Sequence, residues 1–363
     1  MKIGILTMHR VIHFGSVLQA FALQQTLLKM GLKNEIIDYV YPNEWHVPTQ
    51  KQNIKEKIYS YFKKIVPQKQ SKIEEFISKE LIKTSKTYKT PQELALKCPY
   101  FDIYITGSDQ VWNTDYLKGD KSFFFNFLPD GTKKISYASS FGRFTFDGEA
   151  AKEWLNNLST YEALSVREEK AQKIIKKYTG LDSELVLDPT LLISKEDWES
   201  FASKERYVDD DYILVYMLTY AWQPFPYALQ LIQHFEKMLG WKVVVIEPLN
   251  LRKKNPQWQY VENISPHEFI NLFKNAGLIL TSSFHGTAFS INLERPFYSL
   301  VSENKVNDDR ISSLCKKLDL NENLLLVDSE MPMLLPKTDY CQTIRLLNLY
   351  RKQSLSFLRC NLR

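Results

Sequence analysis

The sequence predicts an α/β protein built from two tandem doubly wound domains with a deep cleft between them, and three observations carry that expectation. Short apolar runs rich in Ile, Val and Tyr alternate along the chain with segments of helical periodicity. The alternation occurs twice, once on each side of Asp188-Pro189. The length, 363 residues, exceeds the roughly 250–300 at which one core usually splits.

In chain order, Ile3 to Leu6 reads as a strand, followed by a loop ending His13-Phe14-Gly15-Ser16, a helix from Val17 to about Met30, and a second strand, Asn34 to Tyr39. Together they make one right-handed βαβ unit. A lysine-rich helical insertion, residues 51–95, precedes a strand Tyr100–Thr106 that runs out into Gly107-Ser108-Asp109-Gln110. Ile135–Ser139 and Ala163–Val166 are buried strands, the second feeding a helix that starts near Arg167-Glu168-Glu169. Leu185 to Asp188 is a strand stopped by Pro189, which sets the first domain at residues 1–190. In the second domain, residues 191–340, strands are expected at Tyr212–Tyr216, Lys242–Ile246, Leu278–Thr281 and Pro296–Leu300. Helices are expected at Pro226–Leu239, at Pro266–Asn275 and from Thr287 to Leu293, with Ser282–Gly286 as a turn. Residues 341–363 form a C-terminal helix expected to pack back on the N-terminal domain.

With 44% hydrophobic and 25% charged residues, and only 12 Gly and 15 Pro, the chain is neither disordered nor fibrous. No apolar run approaches the roughly 18 residues of a membrane span, and the start reads as a strand without a signal peptide, so a cytoplasmic protein is expected. Cys98, Cys315, Cys341 and Cys360 lie far apart, and the histidines lack ligand spacing, so neither disulfides nor a metal site is expected. The net charge of +5 concentrates in Lys51–Lys89 and in Arg345–Arg363. Both stretches read as amphipathic helices, either as solvated faces or as surfaces attracted to an anionic membrane or substrate. No nucleic-acid-binding motif is present, and a nucleic-acid partner is not expected.

Turns that follow strands line the cleft of such a fold, and four of them carry chemistry. In the first, Gly15 and Ser16 open a helix that also carries Gln19; the group suits an anion or a sugar hydroxyl, or serves as a simple cap. In the second, Asp109, Gln110, Trp112 and Asn113 share one strand exit. A carboxylate beside an indole suits sugar recognition, with Asp109 as a base on a hydroxyl, while an Asx turn with Trp112 in the core is the plain alternative. In the third, Arg167 stands at a helix start, where the dipole disfavours a cation. It is either an anion clamp or the partner of Glu168 or Glu169. The fourth, Thr281-Ser282-Ser283-Phe284-His285-Gly286-Thr287, sets a histidine among hydroxyls at a helix N-terminus, an anion site with an acid/base attached.

These segments, with Leu187-Asp188-Pro189-Thr190-Leu191-Leu192, Pro296-Phe297 and Asp309-Arg310-Ile311, resemble the polysaccharide pyruvyl transferases over nearly the whole chain. The resemblance implies a GT-B-like pair of Rossmann-like domains. It implies transfer of the pyruvyl group of phosphoenolpyruvate to two sugar hydroxyls as a cyclic ketal, with release of phosphate and with no cofactor or metal. His285 is then the leading acid/base group, with Asp109 the base on the acceptor. Ser282, Ser283, Gly286 and Thr287 would cradle the phosphate. Arg167, Arg310 and Lys305 would hold the anion; some characterised family members carry Arg-Leu-His where this chain has Ser283-Phe284-His285, and Arg310 is the expected substitute. Gly15, Ser16, Gln19, Gln110, Trp112 and Asn113 would shape the acceptor site. The acceptor would be a sugar or a polyprenyl-diphosphate-linked oligosaccharide of a bacterial capsule or exopolysaccharide, met at the inner membrane face by peripheral contact. A glycosyltransferase using a nucleotide sugar and a non-catalytic binding protein are the rival readings.

Overall fold

The computed structural model describes residues 1–40, 65–219, 222–246, 251–253, 255–302 and 309–363. Four short strands form the first sheet: β1 (Lys2–Leu6), β2 (Lys33–Ile36), β3 (Ile103–Thr106) and β4 (Lys134–Ser136). All pair in parallel, in the order β2-β1-β3-β4. A two-stranded extension, β5 (Ser165–Val166) with β6 (Glu184–Leu185), joins its edge through bridges from Ile135 to Ala163 and from Ser139 to Val166. The second sheet holds β7 (Tyr212–Tyr216), β8 (Lys242–Ile246), β9 (Gln259–Val261), β10 (Leu278–Thr281), β11 (Phe297–Val301) and β12 (Leu324–Leu326). It too is parallel, in the order β12-β11-β10-β7-β8-β9. Central strands such as Ile103-Tyr104-Ile105-Thr106 and Leu278-Ile279-Leu280-Thr281 are buried throughout, as a sheet covered on both faces requires.

Each strand order reverses direction once, between β1 and β3 in the first sheet and between β7 and β10 in the second. In open α/β sheets the ligand crevice lies beyond the carboxyl ends of the strands at that reversal. The two reversals meet across the domain boundary, and the helix Phe14–Lys29 stands at the junction. Thirteen of its sixteen residues are buried, because it packs on both sides. Phe14 stacks on Phe269 of the second domain with centroids 4.5 Å apart, and Val17, Leu18, Phe273 and Phe289 belong to the same continuous apolar core.

Several strands are shorter than the sequence expectation, among them Ile103–Thr106, Lys134–Ser136 and Glu184–Leu185, the first helix starts at Phe14 rather than Val17, and two further differences have a plain cause. The second strand stops at Ile36 rather than Tyr39, because Asp38 turns its amide to Thr84 Oγ1 and its carboxylate to His9 and Arg10. The helix expected from Thr287 begins at Phe284, since Ser283 Oγ accepts from the Gly286 amide and caps it there.

The C-terminal helix Tyr340–Asn361 lies across the crossover between domains. The Leu187 amide donates to Ser354 Oγ, and Arg351 donates to the Leu191 carbonyl and to Asn292 Oδ1. Leu347, Phe357, Leu358 and Leu362 are buried. Leu347, Leu358 and Leu362 are therefore core and Arg351 is a staple, while Leu349 is exposed. Arg345, Lys352, Arg359 and Arg363 remain exposed. In the lysine-rich insertion, residues 51–64 lie outside the described residues; beyond them Ile73, Phe76 and Ile77 are buried and Lys72 bridges to Glu268 at 2.9 Å. Among the described residues no helix is long and apolar enough to cross a membrane.

Candidate active site

The convergence of the two strand reversals sets the place of the site, and a buried histidine sets its character. β10 delivers His285 into the first turn of the Phe284–Asn292 helix, where it is 4% exposed. Its imidazole lies against the backbone of Gly15 from the other domain: a Cβ on Gly15 would fall 2.1 Å from His285 Nδ1. Only glycine allows this approach. Gly15→Ala is therefore expected to push the imidazole aside, cutting activity by at least about tenfold while the helix, which favours alanine by about 1 kcal/mol, keeps its stability. Comparing kcat with the thermal midpoint of the variant checks both halves.

Around the imidazole lies a buried ion network. Arg167, its side chain fully buried, donates from Nη1 to Asp188 Oδ2 at 2.6 Å and from Nη2 to Asp109 Oδ1 at 3.4 Å. Asp188 Oδ2 stands 3.8 Å from His285 Nε2, which has no hydrogen-bond partner. Burial drives the His285 pKa down to about 4, against the pull of Asp188 and Asp109, so the ring is neutral near pH 7. Burial opposes the charged form of Asp109, yet Arg167, His285 and a hydrogen bond from Ser16 Oγ outweigh it and hold the pKa near about 2. For Asp188 burial again pushes upward and Arg167 prevails, leaving the carboxyl below the ordinary range. Glu168 goes the other way: burial lifts it to about 7 despite Arg167 and Arg310. Its Oε1 accepts from Ser140 Oγ and the Phe141 amide.

These contacts revise several expectations. Asp109 is a pinned anion and, with so low a pKa, a poor general base; it orients Arg167 and Ser16. Arg167 is a buried counter-ion to Asp188 and Asp109, with its Nε 3.9 Å from Glu168 Oε2, rather than an open anion clamp. Trp112 is fully buried and stacks on Phe124 at 5.6 Å, so it offers no face to a sugar. Asn113 caps a short helix through the Asp115 amide and donates to Gln110 Oε1, which removes both from an acceptor site. Gln19 is buried and donates to Thr7 Oγ1. Ser282 Oγ binds the Leu218 backbone, Ser283 is the helix cap, and Thr287 Oγ1 meets Ser299 Oγ at 2.7 Å. Gly286 packs where a Cβ would lie 2.3 Å from Thr281 Oγ1. The hydroxyl cradle expected for a phosphate is thus spent on the fold itself. Lys305 lies outside the described residues.

Arg310, 7% exposed, and Arg167 flank the Phe284 ring, their guanidinium carbons 5.9 and 4.5 Å from its centroid. Two positive charges therefore stand beside the residue that precedes His285. The sequence reading missed Asp188 and Glu168 as site residues and did not connect His13 or Tyr216 with His285. Asp188-Pro189 was visible as a motif, but its pairing with Arg167 and His285 crosses long stretches of chain. Among the described residues no cluster of three His, Cys, Asp or Glu side chains is arranged to hold a metal ion.

Two parallel α/β sheets whose strand reversals face each other across one site define an enzyme fold of the GT-B type. The family model for polysaccharide pyruvyl transferases matches residues 13–304, most of the chain, and the chain belongs to that family. Among solved structures, UDP-GlcNAc 2-epimerase of Methanocaldococcus jannaschii, in complex with UDP-GlcNAc and UDP, superposes with a TM-score of 0.52 at 14% identity, covering 96% of this chain and 99% of that one. The UDP-N-acetylglucosamine 2-epimerase of Rickettsia bellii gives a TM-score of 0.50 at 11% identity, over 97% and 88%. Both likenesses concern the fold. A comparison with curated proteins returns no match.

Proposed function

We propose that the protein transfers the pyruvyl group of phosphoenolpyruvate to two hydroxyls of a sugar in a cell-surface polysaccharide precursor, forming a cyclic ketal and releasing phosphate. The observation that carries this reading is the neutral, buried His285, whose Nε2 has no partner and faces an ionised aspartate between the domains. Such an imidazole takes a proton from an attacking hydroxyl, and Asp188 stabilises the imidazolium that results. The proton then goes to the departing phosphate. Arg310 draws the anionic donor toward His285, and the buried charge of Arg167 adds to the attraction. No cofactor enters this scheme.

The test is incubation with phosphoenolpyruvate and a panel of free and polyprenyl-diphosphate-linked glycans. A glycan that gains pyruvate less water, with one phosphate released per ketal, supports the reading. Transfer from a nucleotide sugar without phosphate release replaces it. Arg310→Lys is expected to raise the KM for phosphoenolpyruvate by roughly tenfold with a smaller effect on kcat, since a lysine keeps the charge but loses the parallel pair of hydrogen bonds. The exposed basic residues Arg345, Lys352, Arg359 and Arg363 support electrostatic contact with an anionic leaflet, at about 1 kcal/mol each. Sedimentation with anionic vesicles at low salt, lost as salt rises, is the expected result; indifference to anionic vesicles leaves recruitment to the acceptor alone.

A further inference from the structure

His285, Arg167, Asp109 and Asp188 are all less than a tenth exposed, whereas His13, at the start of the Phe14–Lys29 helix, is part-exposed. His13 comes from the first domain and reaches the second: its Nε2 and the Tyr216 hydroxyl at the end of β7 share a hydrogen bond of 3.1 Å. Its ring lies 6.2 Å from that of His285, centroid to centroid, at an interplanar angle of 55°. The charge of His13 acts on both His285 and Asp109. The titratable groups that face it among the described residues include Tyr216 on β7, His285 on the Phe284–Asn292 helix and Asp109 at the exit of β3.

We infer that His13 is a further catalytic residue of the transfer proposed above, the solvent-connected acid that protonates the methylene carbon of phosphoenolpyruvate, with Tyr216 as its positioning partner. This inference rests on the pyruvyl-transfer reading. In the first step a sugar hydroxyl oxygen bonds to C2, the C2–C3 π pair takes a proton from His13 at C3, and the hydroxyl proton passes to His285. In the second step the other hydroxyl oxygen bonds to C2 while the C2–O bond to phosphate breaks and its electron pair leaves with the phosphate. His285 hands its proton to that phosphate, and the second hydroxyl proton reloads His13 directly or through solvent. Two hydroxyl protons are lost, one goes to carbon and one to phosphate, so the balance closes. Asp109 and Asp188 are ionised and have no proton to give, a neutral His285 is set to accept, and Glu168 is buried with its Oε1 held by Ser140 Oγ and the Phe141 amide; among these described residues His13 is the one part-exposed to bulk water.

The test compares the parent with H13Q, H13N and Y216F over a range of about pH 5 to 9 in phosphate release and ketal formation. H13Q and H13N are expected to lose about 10²-fold in kcat with an unchanged KM for phosphoenolpyruvate, and the alkaline limb of the profile, where the acid loses its proton, disappears. Y216F keeps that limb but moves it. A kcat within threefold of the parent with both limbs intact overturns the inference, as does a raised KM at constant kcat. Should the parent release no phosphate from phosphoenolpyruvate with any acceptor, the transfer reading fails separately. Imidazole nitrogen NMR of the parent then decides for His13: a ring signal absent from H13Q that gains a proton between about pH 8 and 5 supports a proton carrier there, and a ring neutral throughout overturns it.

Discussion

Replacing His285 by glutamine is expected to lower the rate of transfer about 10²–10⁴-fold, the usual contribution of a positioned acid/base group, while the chain still folds. Glutamine keeps a polar atom of similar reach at a site where Nε2 has no partner in the fold, so little stability depends on the imidazole. The pH dependence follows from the same environment. The working form is the neutral ring, so kcat/KM rises with pH through the His285 pKa, about 4 in the free protein, and lies on a plateau near neutrality. An anionic donor bound beside the ring would move the corresponding limb of kcat upward. A variant retaining activity within threefold would remove His285 from the mechanism.

Arg167→Met is the largest expected change in stability. The guanidinium is fully buried and its partners Asp188 and Asp109 are buried as well, so the substitution strands two carboxylates in the protein interior. Breaking a buried pair in this way costs about 3–5 kcal/mol. The sign of its pH dependence is fixed by the carboxylates. In the parent their pKa values are held low, so the stability they contribute is present above the unfolded pKa near 3.8 and is lost as pH falls toward about 2. The gap between parent and variant therefore widens from about pH 2 to neutrality, and denaturant midpoints at acid and neutral pH measure it. Equal midpoints at neutral pH would show that the network does not hold the domains' facing ends.

The parts of the fold that were legible in the sequence are those where local pattern and tertiary role agree. Tyr212–Tyr216, Lys242–Ile246, Pro266–Asn275 and Leu278–Thr281 coincide with the expected spans, because the segments are marked off by Asp209 to Asp211, by Gly240, by Pro266 and Asn275, and by Gly277. The Ser282–Gly286 segment misled because glycine usually marks a turn; here Gly286 is small to clear Thr281 and Tyr216 within a helix. Trp112 beside Asp109 reads equally as a sugar platform or as core, and only the stacked Phe124 decides. His285 stood out because a histidine among hydroxyls at a strand exit is an unusual mixture. Its pairing with Asp188, Gly15 and His13 did not, since those residues reach it only once both sheets have folded. The hydroxyls around it were read as ligand groups, whereas a helix start must first satisfy its own amides.

The most direct measurement is a side-by-side assay of the parent and His285→Gln with phosphoenolpyruvate and a glycan the parent accepts, counting phosphate released and ketal formed by mass. The account predicts one phosphate per ketal in the parent and a loss of both together, by at least about 10²-fold, in the variant. Ketal formation at the parental rate without His285, or phosphate release uncoupled from any gain in glycan mass, would contradict it.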